Sequence, residues 1–248
     1  MNSPETAAAR SGKAAGGGVP VRIKICGITR EADLDAAVAA GADAVGFVLY
    51  EKSPRHVTPL QAAALAQRLP PLVRPVLLFV NAAADEVRAV ARRIPGATLQ
   101  FHGDEPAATC AQVAAACGCP YWRAARMPVD GRMRFDLLEF VANHRDAQGI
   151  LLDAHTEGYG GGGKPFDWTL LPGQIPAHLI LSGGLNAENV ADGIAALRGR
   201  GKSLTVDVSS GVEARDAAGQ PLRGTKDAEK IRRFVAAVRA ANPAWTSA

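Results

Sequence analysis

The chain has 248 residues, 48% of them hydrophobic and 21% charged, which suits the soluble globular class and one large α/β domain or two small ones. Its 28 Lys and Arg against 24 Asp and Glu leave a formal charge of +4. The basic residues are scattered, with no aromatic-interleaved stripe, so a small anion is the expected partner and nucleic acid is not. No apolar run approaches the roughly 20 residues that cross a bilayer, so no membrane association is expected and the protein is placed in the cytoplasm.

Residues 1–20, rich in Ala and Gly and without the continuous apolar core of a secretory signal, are expected to form a flexible tail. Beyond them, apolar runs of four to seven residues alternate with Ala-rich amphipathic segments of ten or more. Strands are predicted at Arg22–Cys26, Ala44–Leu49, Arg74–Val80, Ala97–His102, Tyr121–Ala124, Gly149–Asp153, His178–Leu181 and Leu204–Val208. Helices are predicted at Arg30–Ala40, Pro59–Arg68, Asp85–Arg93, Glu105–Ala116, Asp136–Asn143, Ala187–Leu197 and Asp227–Ala241. In the sixth unit "FDWTLLP" leaves room for only a short helix before Pro172. Eight βα units with no compositional break predict one α/β domain over residues 21–242, a closed (β/α)₈ TIM barrel, followed by a C-terminal tail at 243–248. An open doubly wound sheet is the alternative, because periodicity does not reveal strand order.

Cys26, Cys110, Cys117 and Cys119 do not suggest a disulfide framework in a cytosolic chain of this size. Cys117 and Cys119 lack a second ligand pair at zinc spacing, so no metal site is expected.

In a barrel the chemistry lies on the loops after the strands. The polar residues there are Cys26, Tyr50, Arg55, Asn81, Gln100, His102, Arg123, Arg126, Asp153, Ser182, Asp207, Ser209 and Ser210. Cys26, which ends "RIKIC", is either a small hydrophobe in a strand or a functional thiol at the rim. The loop "GYGGGGK" at Gly158–Lys164 has Pro165 where a P-loop needs Ser or Thr, and no long helix follows as a dinucleotide site requires, so no nucleotide cofactor is expected. It reads as a glycine loop beside Asp153, including Gly161 and Gly162, that either closes over a ligand or merely connects.

"LSGGL" with Gly183 and Gly184, and "VDVSSGVE" with Ser209, Ser210 and Gly211, end strands seven and eight. Glycines and small residues there let backbone N–H groups approach an anion, the arrangement of a barrel phosphate site. A phosphorylated small molecule is the expected substrate. Cys26 and Asp153 then flank it from opposite sides of the mouth, which suits isomerisation by proton transfer. Lys24, two residues before Cys26 and on the same strand face, is expected to favour the thiolate.

The motifs "KICGIT", "GFVLYEKSPRHV", "LQFHGDE", "LLDAHTEGYGGGGKPFDW", "LSGGLNAENV" and "DVSSGVE…GTKD" together resemble the phosphoribosylanthranilate isomerases of tryptophan biosynthesis, from about Arg22 to Val238. The resemblance implies a barrel enzyme without metal or cofactor. Its reaction is the Amadori rearrangement of N-(5-phosphoribosyl)anthranilate to 1-(2-carboxyphenylamino)-1-deoxyribulose 5-phosphate. Carried over by motif, Cys26 is the general base, Asp153 the general acid and Arg55 the partner of the anthranilate carboxylate. Asp207 orients the substrate, and Gln100 and His102 either touch it or support those that do. Two departures stand out: "WRAARM", whose Arg123 and Arg126 add to a positive rim, and "GGGG", which removes a hydroxyl contact to phosphate.

The resembling histidine-pathway isomerases carry Asp at the strand-one position, and their two-phosphate substrate calls for a second glycine cradle that "FVNAA" and "FHGDE" do not offer. A non-catalytic sugar-phosphate-binding barrel, or a thiol sensor, would leave Asp153 without a purpose, and a sensor would want a resolving cysteine nearby. No obligate protein partner is evident.

Overall fold

Strands buried on both faces read as continuous apolar runs, because helices cover the outside of a barrel and side chains fill its inside. Ala44–Val48 and Gly149–Ala154 are buried at every position for this reason. The computed structural model describes residues 19–128, 135–154 and 166–242. In it β1 (Arg22–Cys26), β2 (Ala44–Val48), β3 (Arg74–Phe79), β4 (Thr98–Phe101), β5 (Tyr121–Met127), β6 (Gly149–Ala154), β7 (His178–Leu181) and β8 (Ser203–Val208) are parallel neighbours in chain order. β8 pairs back onto β1, so the sheet is a closed barrel and not an open doubly wound sheet.

The outer layer is α1 (Glu31–Ala40), α2 (Pro59–Ala66), α3 (Ala84–Ala91), α4 (Ala107–Cys117), α5 (Leu137–Asn143), α6 (Val190–Leu197) and α7 (Ala228–Ala240). Among the described residues the sixth unit has only a 3₁₀ turn at Trp168–Leu170, capped by the Asp167 side chain. α6 begins three residues later than the sequence predicts. Asn186 and Asn189 each accept the other's backbone N–H, and this local turn competes with helix. β5 runs three residues past its predicted end because its ladder with β6 continues to Met127 opposite Ala154. Among the described residues no helix is long and apolar enough to cross a membrane.

One element was not anticipated. Between β8 and α7 the chain makes an antiparallel ribbon of β9 (Glu213–Arg215) and β10 (Pro221–Lys226). Asp216 turns it by accepting the N–H groups of Ala218 and Gln220, with Gly219 at φ 78°.

Alternation along the strands sends Lys24 and Cys26, Leu78, Gln100, Leu151 and Asp153, and Asp207 to the barrel interior, while Ile25, Phe47, Phe79, Leu99 and Leu152 join the shell under the helices. α7 completes that shell, packing Ile231, Phe234, Val235 and Val238 inward. Phe234→Ala, at a fully buried position, is expected to cost about 3–5 kcal/mol. A lower urea midpoint with an unchanged m-value would record it.

Candidate active site

The ends of the strands and the loops after β2, β7 and β8 line a cavity at the barrel mouth whose empty space, including the part open to solvent, is about 710 Å³. Cys26, Arg55, Gln100, His102, Asp153, Gly183, Gly184, Asp207, Ser209 and Ser210 all line it. Gly161 and Gly162 lie outside the described residues.

Cys26 ends β1 and stands opposite Gly46 of β2. A Cβ on Gly46 would lie 2.7 Å from the Cys26 Sγ and 3.1 Å from Lys24 Cε, so glycine is what leaves room for both side chains. Val48, Leu78 and Val80 form an apolar wall around the thiol, with Tyr50 against it. Burial pushes the thiol pKa up; Lys24 opposes this and Asp207 reinforces it, with a net upward shift. Lys24 therefore acts on Cys26 in the expected direction, but burial outweighs it.

Lys24 is wholly buried, and its Nζ donates to Asp207 Oδ1 at 2.9 Å. Burial is the largest influence on this ammonium and lowers its pKa, yet Asp207 and Cys26 together raise it above the ordinary value. It is a buried cation kept charged by its neighbours. Asp207 accepts a second bond from Ser182 Oγ at 3.4 Å.

Across the mouth three side chains form a chain. Gln100 Nε2 lies 2.9 Å from His102 Nδ1, and His102 Nε2 lies 3.0 Å from Asp153 Oδ2. With the amide donating to Nδ1, Nε2 is the ring nitrogen that donates to Asp153. His102 thus contacts the carboxylate while also lining the cavity. Asp153 Oδ1 is in no hydrogen bond among the described residues, and the buried Gln100 Oε1 likewise has no partner.

Arg55, on the loop after β2, is committed to Glu213 of β9, with Nε to Oε1 at 2.7 Å and Nη2 to Oε2 at 3.0 Å. Of its nitrogens, Nη1 is in no hydrogen bond among the described residues. The side chain crosses Gly27, at φ 72°, where a Cβ would sit 2.6 Å from Arg55 Cδ. That accounts for the glycine after Cys26.

The loops after β7 and β8 meet beside Asp153. Gly183 and Gly184 take φ of 80° and 69°, and a Cβ on Gly183 would lie 2.5 Å from the Ala154 N and 3.0 Å from Asp153 Oδ1. Ser209 and Ser210 face the cavity from the other side. Gly211 does not: a Cβ there would meet the Leu185 carbonyl at 2.0 Å, so this glycine packs one loop against the other.

Arg123 does not add to a positive rim. It is buried, donates to the carbonyls of Phe101, Gly103, Ala124 and Glu105, and stands 5.7 Å over the Phe140 ring. Its position on β5 points toward the helical layer, where it holds the loop after β4. Arg126 is on the rim but ion-paired with Asp104. Asn81, at φ 52°, ties the loops after β3 and β4 through Glu105 and Asp104 and does not line the cavity. Among the described residues no three His, Cys, Asp or Glu side chains gather where they could hold a metal.

Sequence reasoning missed Glu213 and Lys226. Lys226 ends β10, and its Nζ reaches Ser209 O at 3.0 Å, Ser209 Oγ at 3.3 Å and Glu213 Oε1 at 3.3 Å. The one available signal was a pair of charged residues close to a phosphate-type loop with no helical face to occupy.

A family model described as N-(5'-phosphoribosyl)anthranilate (PRA) isomerase matches residues 23–237. The chain is 56% identical over 221 residues to N-(5'-phosphoribosyl)anthranilate isomerase of Methylibium petroleiphilum, covering 89% of this chain and 95% of that one. It is 54% identical over 221 residues to the protein of the same name from Dechloromonas aromatica, covering 89% and 97%. The crystal structure of phosphoribosyl anthranilate isomerase from Thermotoga maritima superposes with a TM-score of 0.75 at 39% identity, over 89% of this chain and 99% of that one. A phosphoribosyl anthranilate isomerase in complex with reduced 1-(o-carboxyphenylamino)-1-deoxyribulose 5-phosphate gives a TM-score of 0.70 at 35% identity, over 89% and 99%. The chain belongs to the N-(5'-phosphoribosyl)anthranilate isomerase family.

Proposed function

We propose that the cavity converts N-(5-phosphoribosyl)anthranilate into 1-(2-carboxyphenylamino)-1-deoxyribulose 5-phosphate with Cys26 as general base and Asp153 as general acid. The protein is an aldose–ketose isomerase of tryptophan biosynthesis. What carries the assignment of roles is that the ends of β1 and β6 face one cavity from two sides, with the small-residue loops of β7 and β8 between them.

The geometry divides the work. Backbone N–H groups at Gly183 and Gly184, with Ser209 and Ser210, receive the phosphate. Arg55 Nη1 meets the anthranilate carboxylate. Asp153, held at Oδ2 by His102, gives its proton from Oδ1 to the furanose ring oxygen. The ring C–O bond breaks as the anilino nitrogen lone pair forms an iminium with C1. The Cys26 thiolate then takes the C2 proton, and the C–H electrons become the C1=C2 bond of an enolamine, which tautomerises to the ketone. These are proton transfers throughout and call for neither metal nor redox cofactor. We assign residues 21–242 to the catalytic domain, as the extent of the family match suggests. We assign the protein to the cytoplasm, whose reducing conditions suit its four free thiols.

Cys26→Ala and Asp153→Asn are each expected to lower kcat by about two to four orders of magnitude, with inorganic phosphate binding retained. The test follows conversion of freshly generated substrate by its fluorescence. Unchanged turnover in either variant overturns the assignment of that residue.

The thiol itself gives a pH prediction. Because its pKa is raised, the thiolate is scarce at neutral pH and accumulates as pH rises above the ordinary thiol range. Iodoacetamide labelling of Cys26, followed by mass spectrometry, should therefore accelerate at a higher pH than for a free cysteine. Lys24→Met removes the largest opposing influence and should move that profile higher still.

A further inference from the structure

We propose that Glu213 and Lys226 are a positioning pair through which one buried carboxylate sets both anion-binding ends of the cavity, the Arg55 arm and the Ser209 loop. The proposal rests on the roles assigned above to Arg55 and Ser209.

Glu213 is 3% exposed and both of its carboxylate oxygens are hydrogen-bonded. Oε1 accepts from Arg55 Nε at 2.7 Å, Gly224 N at 2.9 Å and Lys226 Nζ at 3.3 Å, and Oε2 accepts from Arg55 Nη2 at 3.0 Å. Lys226 is 4% exposed, and its three N–H groups are matched by two acceptors on Ser209 and one on Glu213. With every donor in use, Lys226 has none left for a ligand, so it acts through Ser209. Two cations against one anion leave the group with a net positive charge, which favours an anionic substrate.

Pre-organisation is the physical reason for such an arrangement. A free arginine on a rim loop samples many rotamers, and binding must freeze one of them. The bidentate grip of Glu213 freezes it beforehand and leaves Nη1 as the available edge. Lys226 does the same for the Ser209 loop. Both side chains come from the ribbon, whose backbone is anchored separately: Thr29 Oγ1 donates to Gly224 O at 2.6 Å, Asp33 accepts Lys226 N at 3.0 Å, and Lys230 Nζ donates to Glu213 O at 2.7 Å. A conservative change at Glu213 can therefore alter the side-chain network while the ribbon stays in place. Buried ion pairs are poor devices for stability alone, which favours a positioning role.

Burial lowers the Lys226 pKa to about 8, against the pull of Glu213 and with Arg55 adding to the fall, so measurements belong at pH 7 where the ammonium is charged. The experiment compares wild type, Glu213→Gln, Arg55→Met and the double variant for kcat and KM, with calorimetric titration of inorganic phosphate into each. Glu213→Gln is expected to raise KM about tenfold, with kcat within about threefold and phosphate affinity severalfold weaker. The double variant should raise KM by less than the product of the single effects, because both act on one arm.

Lys226→Met keeps the Arg55–Glu213 grip and is expected to weaken phosphate binding severalfold; it serves as the second variant if Glu213→Gln does not fold. KM and phosphate affinity left at wild-type values in these variants, with only the melting temperature lowered, overturn the proposal. Arg55→Met with an unchanged KM would remove the carboxylate role of Arg55, whereas weaker phosphate binding in Glu213→Gln would still uphold the positioning pair.

Discussion

The buried contact between Lys24 and Asp207 sits at the seam where the barrel closes. The two are register partners on β1 and β8, and both are buried. A slip of the seam by one residue would turn one of them toward the apolar shell and leave the other unpaired, at about 3–5 kcal/mol. The pair therefore fixes more than a contact. With this register set, Cys26 stands one inward position above Lys24, and Ser209 one above Asp207, so thiol and β8 loop meet the cavity at one level. The ammonium that pins closure is also the cation that acts most strongly on the thiol.

Around that seam, space is made by removing side chains. Gly46 opens the pocket for Cys26 and Lys24, Gly27 lets Arg55 cross, and Gly183 brings the β7 loop against Asp153. At these three places a single Cβ would come within 2.7 Å of another atom, so the site is shaped by omission as much as by functional groups. On the far wall, Gln100 and His102 are two residues apart on one strand face, which puts the amide beside the ring and leaves Nε2 for Asp153 of β6.

How much of this was legible follows from the range of the interactions. Parallel barrel strands announce themselves as apolar runs, and all eight were found because each depends on its own residues being buried twice over. The ends were less secure: β5 outran its apolar stretch because a neighbour's ladder extends it, and α6 started late because two asparagines bond locally. The ribbon escaped because its strands are short and mix exposed with buried positions without a continuous apolar run. Arg55 was expected to be free for a ligand; its partner Glu213 lies 158 residues away, and no local pattern conveys that distance. Arg123 looked like a rim cation because arginine is rarely buried, yet its strand parity points it under the helices.

The raised thiol pKa looks unfavourable for a general base, but the reaction proposed for it is removal of a proton from carbon. Carbon acids give up protons slowly to weak bases, so the strength of the base enters the rate as well as its abundance. The apolar wall of Val48, Leu78 and Val80 withholds solvation from the thiolate, which lowers its population and raises its basicity together. Lys24 and Lys226 both pull the other way, keeping the population from vanishing. Cys26 is held between a wall that strengthens it and cations that ionise it, and both influences are built into the strands that carry the barrel.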